Sequence, residues 1–198
     1  ATERLSFARK LIEEWRPKER KDGIKVGISL HTPYSVMPEL WDDALDYVRD
    51  ENLPLCIHAA ESPAEYEYFT KGTGVIEALN KKLGAGFESP KVTPIQYLED
   101  VGALDLRPLL VHCVHVDDSD ITRILANECS VVHCARSNLR LRCGRMPLEK
   151  FVSAGIPVYL GTDSLGSSPS LNVLDEVEVA VALHHGNVEP AQIKQMAH

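Results

Sequence analysis

Five short apolar runs recur along the chain, each rich in Val, Ile and Leu: KVGISLH (25–31), LPLCIHAAE (53–61), RPLLVHCVH (107–115), CSVVHC (129–134) and IPVYLGTD (156–163). They are continuous rather than strictly alternating, which predicts strands buried on both faces, as in a parallel sheet. Between them the period changes. MPELWDDALDYVRDEN (37–52) carries Leu40, Ala44, Tyr47 and Val48 at helical spacing behind an acidic first turn. DDSDITRILANE (117–128) opens on a run of potential N-caps, and PLEKFVSAG (147–155) stops on glycine. Gly-rich links at 71–74 and 82–86 bracket a further helix at 75–83, and LNVLDEVEVA reads as another. Strand alternating with helix predicts the α/β class with a parallel sheet. Both ends read as helices, over residues 2–16 and 189–198. A domain rarely opens and closes inside helices, so an internal piece of a larger protein is expected.

Composition narrows the function. The 198 residues are 44% hydrophobic and 25% charged, ordinary values for a chain that buries a sizeable core. A formal net charge of −8, with no Lys/Arg cluster interleaved with aromatics, argues against a nucleic-acid partner. No stretch approaches the roughly 18 apolar residues a membrane span needs, so no membrane partner is expected. The five cysteines (Cys56, Cys113, Cys129, Cys134, Cys143) are odd in number and form no CxxC pair. A structural zinc module is therefore not expected, and free thiols in a reducing cytoplasm are.

The strand ends carry the chemistry. Four of the five runs end in or near histidine: His31, His58, His112 with His115, and His133; the fifth ends in Asp163. Glu61 and Asn138 lie close by in sequence. In a (β/α) barrel the carboxyl ends of all strands converge on one face, where active sites sit. Imidazole and carboxylate there are ligands that Zn²⁺ or Fe²⁺ accepts, and a nearby Glu61 could move protons between water and substrate. Each residue also has a plain structural reading. A lone strand-end histidine is commonly a satisfied polar group, Asp163 could cap a turn, and Glu61 could cap the helix beginning in ESPAEYEYF. Those readings weaken jointly, because each would have to place its residue at the same end of a different strand by coincidence.

The ordered set HTPYS, HxxE, VHC, VHCxRSN and LGTDS resembles the amidohydrolase superfamily. The likeness is to its branch of metal-dependent deaminases and chlorohydrolases acting on nitrogen heterocycles, from about residue 25 onward. It implies a partial (β/α)8 TIM barrel, strands four to eight, spanning residues 1–198 as an incomplete barrel domain. The first three strands and the β-sandwich domain would be lacking. It implies one divalent metal ion, Zn²⁺ or Fe²⁺, with His58 and Asp163 as ligands. Glu61 would shuttle protons, His112 would orient or polarise the attacking water, and Asp163 would serve as its base. His31, Glu61, His133, Asn138 and Ser167 would meet the substrate. His115, further past its strand, is expected to matter far less.

The sequence departs from the family in two ways: Ala135 stands where the family usually has proline, and no HxH pair occurs. The second departure points to a fragment without the remaining metal ligands. The expected reaction is hydrolytic deamination of an adenine-containing nucleoside or related heterocycle. S-adenosylhomocysteine, methylthioadenosine and aminodeoxyfutalosine are the candidate substrates. The partner expected is thus a small molecule, with room for a homo-oligomer of the full-length enzyme. Chlorohydrolase or other C–N hydrolase chemistry stays open, as does a non-catalytic fragment or an unrelated α/β binding module. Arg136, Arg140, Arg142 and Arg145 could meet an acidic substrate tail, though solvated positions suit most of them.

Overall fold

The computed structural model describes residues 2–20, 23–84 and 87–197. Ala85 and Gly86 of the second Gly-rich link, and His198 at the end of the last predicted helix, lie outside the described residues. The first helix, α1, covers Thr2–Trp15, and a strand β1 of two residues, Ile28–Ser29, follows. Next come α2 (Trp41–Asp50), β2 (Leu55–Ala59), α3 (Pro63–Lys71), α4 (Gly74–Leu83) and α5 (Pro94–Asp100). Then follow β3 (Leu109–His112), α6 (Asp118–Ala126), β4 (Ser130–His133), α7 (Ala135–Arg140) and α8 (Leu148–Ala154). The described chain ends with β5 (Val158–Leu160), α9 (Leu174–Leu183) and α10 (Pro190–Gln195).

The five strands form one parallel sheet in sequence order, β1-β2-β3-β4-β5. Parallel order sends every carboxyl end to the same edge of the sheet, which is what gathers the candidate residues. Register then decides faces. Ile57 pairs with Leu110 and Leu110 with Val131, and all three are fully buried. The neighbouring row, His58–Val111–Val132–Tyr159, lies on the opposite face and ends in a Tyr159 that is 44% exposed.

Local chemistry explains most element ends. In α6, Asp117 accepts from Asp120 N and Asp120 accepts from Asp117 N, a reciprocal capping box. Ser62 caps α3 and Thr93 caps α5, each followed by proline in the first turn. Gly72, Gly84 and Gly155 close α3, α4 and α8 in the left-handed region. The predicted helix at 37–52 begins as a 3₁₀ turn, Pro38–Leu40, before α2. Periodicity does not predict α5 and α7, of seven and six residues. Two helical turns are too short for a 3.6-residue period to register.

Candidate active site

The strand ends bend into the site. His31, Ala60, His112, Cys113 and Asp163 all have positive φ, between 34° and 77°. Side chains other than glycine rarely adopt this region, and such strain gathers at functional sites. At His112 the positive φ has a clear effect. Regular pairing would put His112 on the face of its partner Ala59, yet its ring lies 5.4 Å from that of His58 on the other face. Gly161 is required for a different reason: a Cβ there would come within 2.5 Å of Val132 Cγ1, so only glycine lets β5 run past β4 toward Asp163.

Five of the expected residues form one connected group. The His31 and His58 rings lie 5.8 Å apart, and His58 Nδ1 contacts His31 O at 3.1 Å. This partner assigns the Nδ1 proton and leaves Nε2 as the open nitrogen of His58. His31 Nδ1 contacts Ser35 Oγ at 2.9 Å. His112 Nδ1 contacts Asn138 Oδ1 at 2.9 Å, which assigns its proton to Nδ1 and aims the Nε2 lone pair at Glu61 Oε1, 3.6 Å away. That distance exceeds a hydrogen bond. Burial lowers the pKa of His112 despite the nearby Glu61 carboxylate and the Asn138 bond, so the imidazole is neutral and the contact is not an ion pair.

Asp163 joins from β5. Its Oδ2 accepts from Ser137 Oγ and from Ser167 Oγ, both at 2.7 Å, and its Oδ1 accepts from Ser164 N at 2.7 Å. Burial alone would raise its pKa; the three donors outweigh burial and hold the carboxyl below its ordinary value. Ser167, expected to meet substrate, is buried with its hydroxyl on Asp163. Asn138 likewise has its oxygen on His112.

The structure does not bring His133 into the group. Alternation along β4 buries Val131 and His133 together, and His133 Nε2 meets His184 Nε2 at 3.1 Å. Burial, with His184 beside it, pushes the His133 pKa down to about 3; burial and Arg145 take His184 down to about 4. Arg136 is also no substrate clamp. It donates from Nε to the buried Glu176 at 2.6 Å and from Nη2 to Ser170, tying the 164–173 loop to the start of α7. Ala135 is the first residue of α7, a position where proline also fits.

Sequence reasoning passed over Glu65. It is fully buried, and its carboxylate accepts from Ala60 N at 3.0 Å and from Glu61 N at 2.8 Å, fixing the strained turn that carries Glu61. Burial raises its pKa to about 7 against those two bonds. The signal was present in SPAE, a Ser-x-x-Glu capping pattern. Ser62, not Glu61, is the cap of α3, which leaves the Glu61 carboxylate to the site. A cleft of about 770 Å³ borders the group only at His31; it runs along α1 and β1 and is lined mainly by apolar side chains.

The donor chemistry suits part of a metal centre. The open His58 nitrogen and the Asp163 carboxylate are ligand types that zinc accepts. Among the described residues, however, no three His, Cys, Asp or Glu side chains gather where they could hold an ion. A catalytic zinc site uses about three protein ligands.

The sequence profile of the amidohydrolase family matches residues 2–197. The chain belongs to the amidohydrolase family. Family members are metal-dependent. This amidohydrolase chain is 40% identical over 200 residues to an aminodeoxyfutalosine deaminase of Deinococcus radiodurans, covering 94% of this chain and 46% of that protein. The chain thus spans about half the length of the curated relatives it matches, or less. Among solved structures it resembles the Helicobacter pylori aminofutalosine deaminase in complex with methylthio-coformycin, with a TM-score of 0.83, 22% identity and coverage of 100% of this chain and 48% of that one. It also resembles the zinc-complexed atrazine chlorohydrolase of Arthrobacter aurescens, with a TM-score of 0.77, 21% identity and coverage of 97% and 40%. At these identities the likeness is one of fold.

Proposed function

We propose that this chain supplies the proton-transfer residues of a hydrolase that deaminates an adenine-containing nucleoside. The observation that carries the reading is the placement of Glu61, neutral His112 and ionised Asp163 at the ends of three strands of one parallel sheet. The 40% identity to a protein named aminodeoxyfutalosine deaminase supports the substrate class. The five strands are read as strands four to eight of a (β/α)8 barrel. A divalent ion, with zinc the first choice, would be held by His58 and Asp163 together with ligands from outside this segment, and when bound it would acidify water for attack.

The chain's own residues then divide the work. Asp163, ionised at neutral pH, takes a proton from the attacking water. His112 accepts a hydrogen bond from that water through Nε2 and orients it. Glu61 takes up the other proton of the water and delivers it to the ring nitrogen next to the carbon under attack, and the proton held by Asp163 passes to the amino group, which leaves as ammonia. Water oxygen ends on the ring carbon, so one water is consumed for each ammonia released. In this reading His31, next to His58 and beside the apolar cleft, contacts the substrate.

The test is product analysis with the complete gene product, metal-loaded. Incubation with aminodeoxyfutalosine, methylthioadenosine or a chlorinated triazine should release ammonia from a nucleoside and little chloride from the triazine. Chloride release with no ammonia would move the protein to the chlorohydrolase side of the family.

A further inference from the structure

Glu61 has a second neighbour besides His112. Cys143 Sγ lies 3.6 Å from the same Oε1 atom, within reach of a thiol donor. The thiol is buried, and burial together with Glu61 pushes its pKa up to about 12. It therefore keeps its proton at neutral pH and is a poor nucleophile.

The segment carrying Cys143 is fixed from several sides. Cys143 N donates to Asn138 O at 2.8 Å, and Cys143 O accepts from His115 Nε2 at 2.6 Å. The His115 backbone N donates in turn to Ala60 O at 2.9 Å, one residue before Glu61. A closed loop of contacts thus runs Glu61–Ala60–His115–Cys143 and back to Glu61. The chain passes close over His115 because residue 144 is glycine. At its φ of 113° a Cβ would sit 3.3 Å from Val114 Cγ1 and 3.7 Å from the His115 ring. His115, far along the strand-end sequence, acts here through its hold on Cys143.

We propose that Cys143, set in place by His115, is a positioning residue for Glu61: its thiol donates to Oε1 and leaves Oε2 as the atom that exchanges the proton with substrate. The proposal rests on Glu61 being the proton carrier of the function proposed above. Neither residue touches the reacting atoms. A thiol is a weak donor, but Oε1 accepts whether or not Oε2 carries the proton, so the contact holds through the transfer.

The experiment compares Cys143→Ala and Cys143→Ser in the metal-loaded complete gene product, with aminodeoxyfutalosine as substrate. Removing the donor should lower kcat by about tenfold, the upper scale of one lost hydrogen bond, with KM within about twofold and metal content unchanged. Serine keeps a donor and should recover most of the loss. In a Glu61→Gln background, Cys143→Ala should cost nothing further. His115→Ala should lower kcat in the same direction, and His115→Gln, which can still donate to the Cys143 carbonyl, should restore it. This pair keeps the test alive if Cys143→Ala does not fold. Equal losses in the alanine and serine variants, or a Cys143→Ala enzyme with wild-type kcat while Glu61→Gln is dead, would overturn the positioning role and leave Glu61 standing. Normal turnover in Glu61→Gln itself would instead remove the functional reading beneath it.

Discussion

At the scale of single residues, the groups that sequence made legible were those that end an apolar run. A titratable side chain after Leu-Cys-Ile or Leu-Val costs free energy unless it has a use, so His58, Glu61, His112 and Asp163 stood out. Glu65, Cys143 and His184 did not, because their surroundings come from distant segments; Cys143 meets Glu61 across 82 residues. Buried Glu65 and the buried His133–His184 pair make opposing pH predictions. Glu65 has a folded pKa of about 7, above its unfolded value near 4.5, so the stability it permits is complete below 4.5 and declines as pH rises to 7. Glu65→Gln should therefore gain on the wild type between pH 5 and pH 8, by roughly 3 kcal/mol at most. Urea unfolding at those two pH values checks this. His133 and His184 are depressed to about 3 and 4, below an unfolded value near 6.5, so their contribution is present above 6.5 and is lost as pH falls. Each should cost the fold about 2 kcal/mol on going from pH 7 to pH 5. A chain carrying Glu65→Gln removes the opposing contribution of that carboxyl; buried His112 adds to the loss in the same direction, so flat stability over this interval would contradict the burial of the pair.

At the scale of elements, strand position was readable and strand length was not. Each of the five apolar runs holds a strand, but KVGISLH yields only Ile28–Ser29, since β1 stands at the end of the sheet and pairs with β2 alone. Alternation within a strand, invisible in a continuous apolar run, is what turned His133 toward the helices. The caps were legible where they were acidic. Asp117→Ala removes one half of a reciprocal capping box and should destabilise the fold by about 1 kcal/mol, read as a lower urea midpoint with an unchanged slope. No change would mean that packing of Ile121 and Ile124 alone sets the start of α6. The Arg136–Glu176 pair belongs to this scale too. Glu176 is fully buried, so Arg136→Ala leaves its carboxyl bonded to the backbone N of residue 136 but without the guanidinium, and should free the 164–173 loop that carries Ser167 to Asp163.

For the whole molecule, the parallel sheet explains why residues more than a hundred positions apart share one edge. Among the described residues no helix is long and apolar enough to cross a membrane. The chain alone offers His58 and Asp163 to a metal, too few for a tight site, so calorimetry should show weak zinc binding to these 198 residues. Tight, stoichiometric binding would require His115, His184 or His185 to be recruited. The first two would have to leave the Cys143 carbonyl and the His133 ring, respectively. The central claim, that Glu61 carries the proton, is tested most directly by the rate of ammonia release from aminodeoxyfutalosine by the metal-loaded Glu61→Gln gene product, with metal content assayed alongside. Glutamine keeps the shape and one acceptor but carries no proton near neutral pH, so the rate should fall by about a hundred- to ten-thousand-fold with metal retained. An enzyme that holds its metal and turns over within a few-fold of wild type would contradict the account.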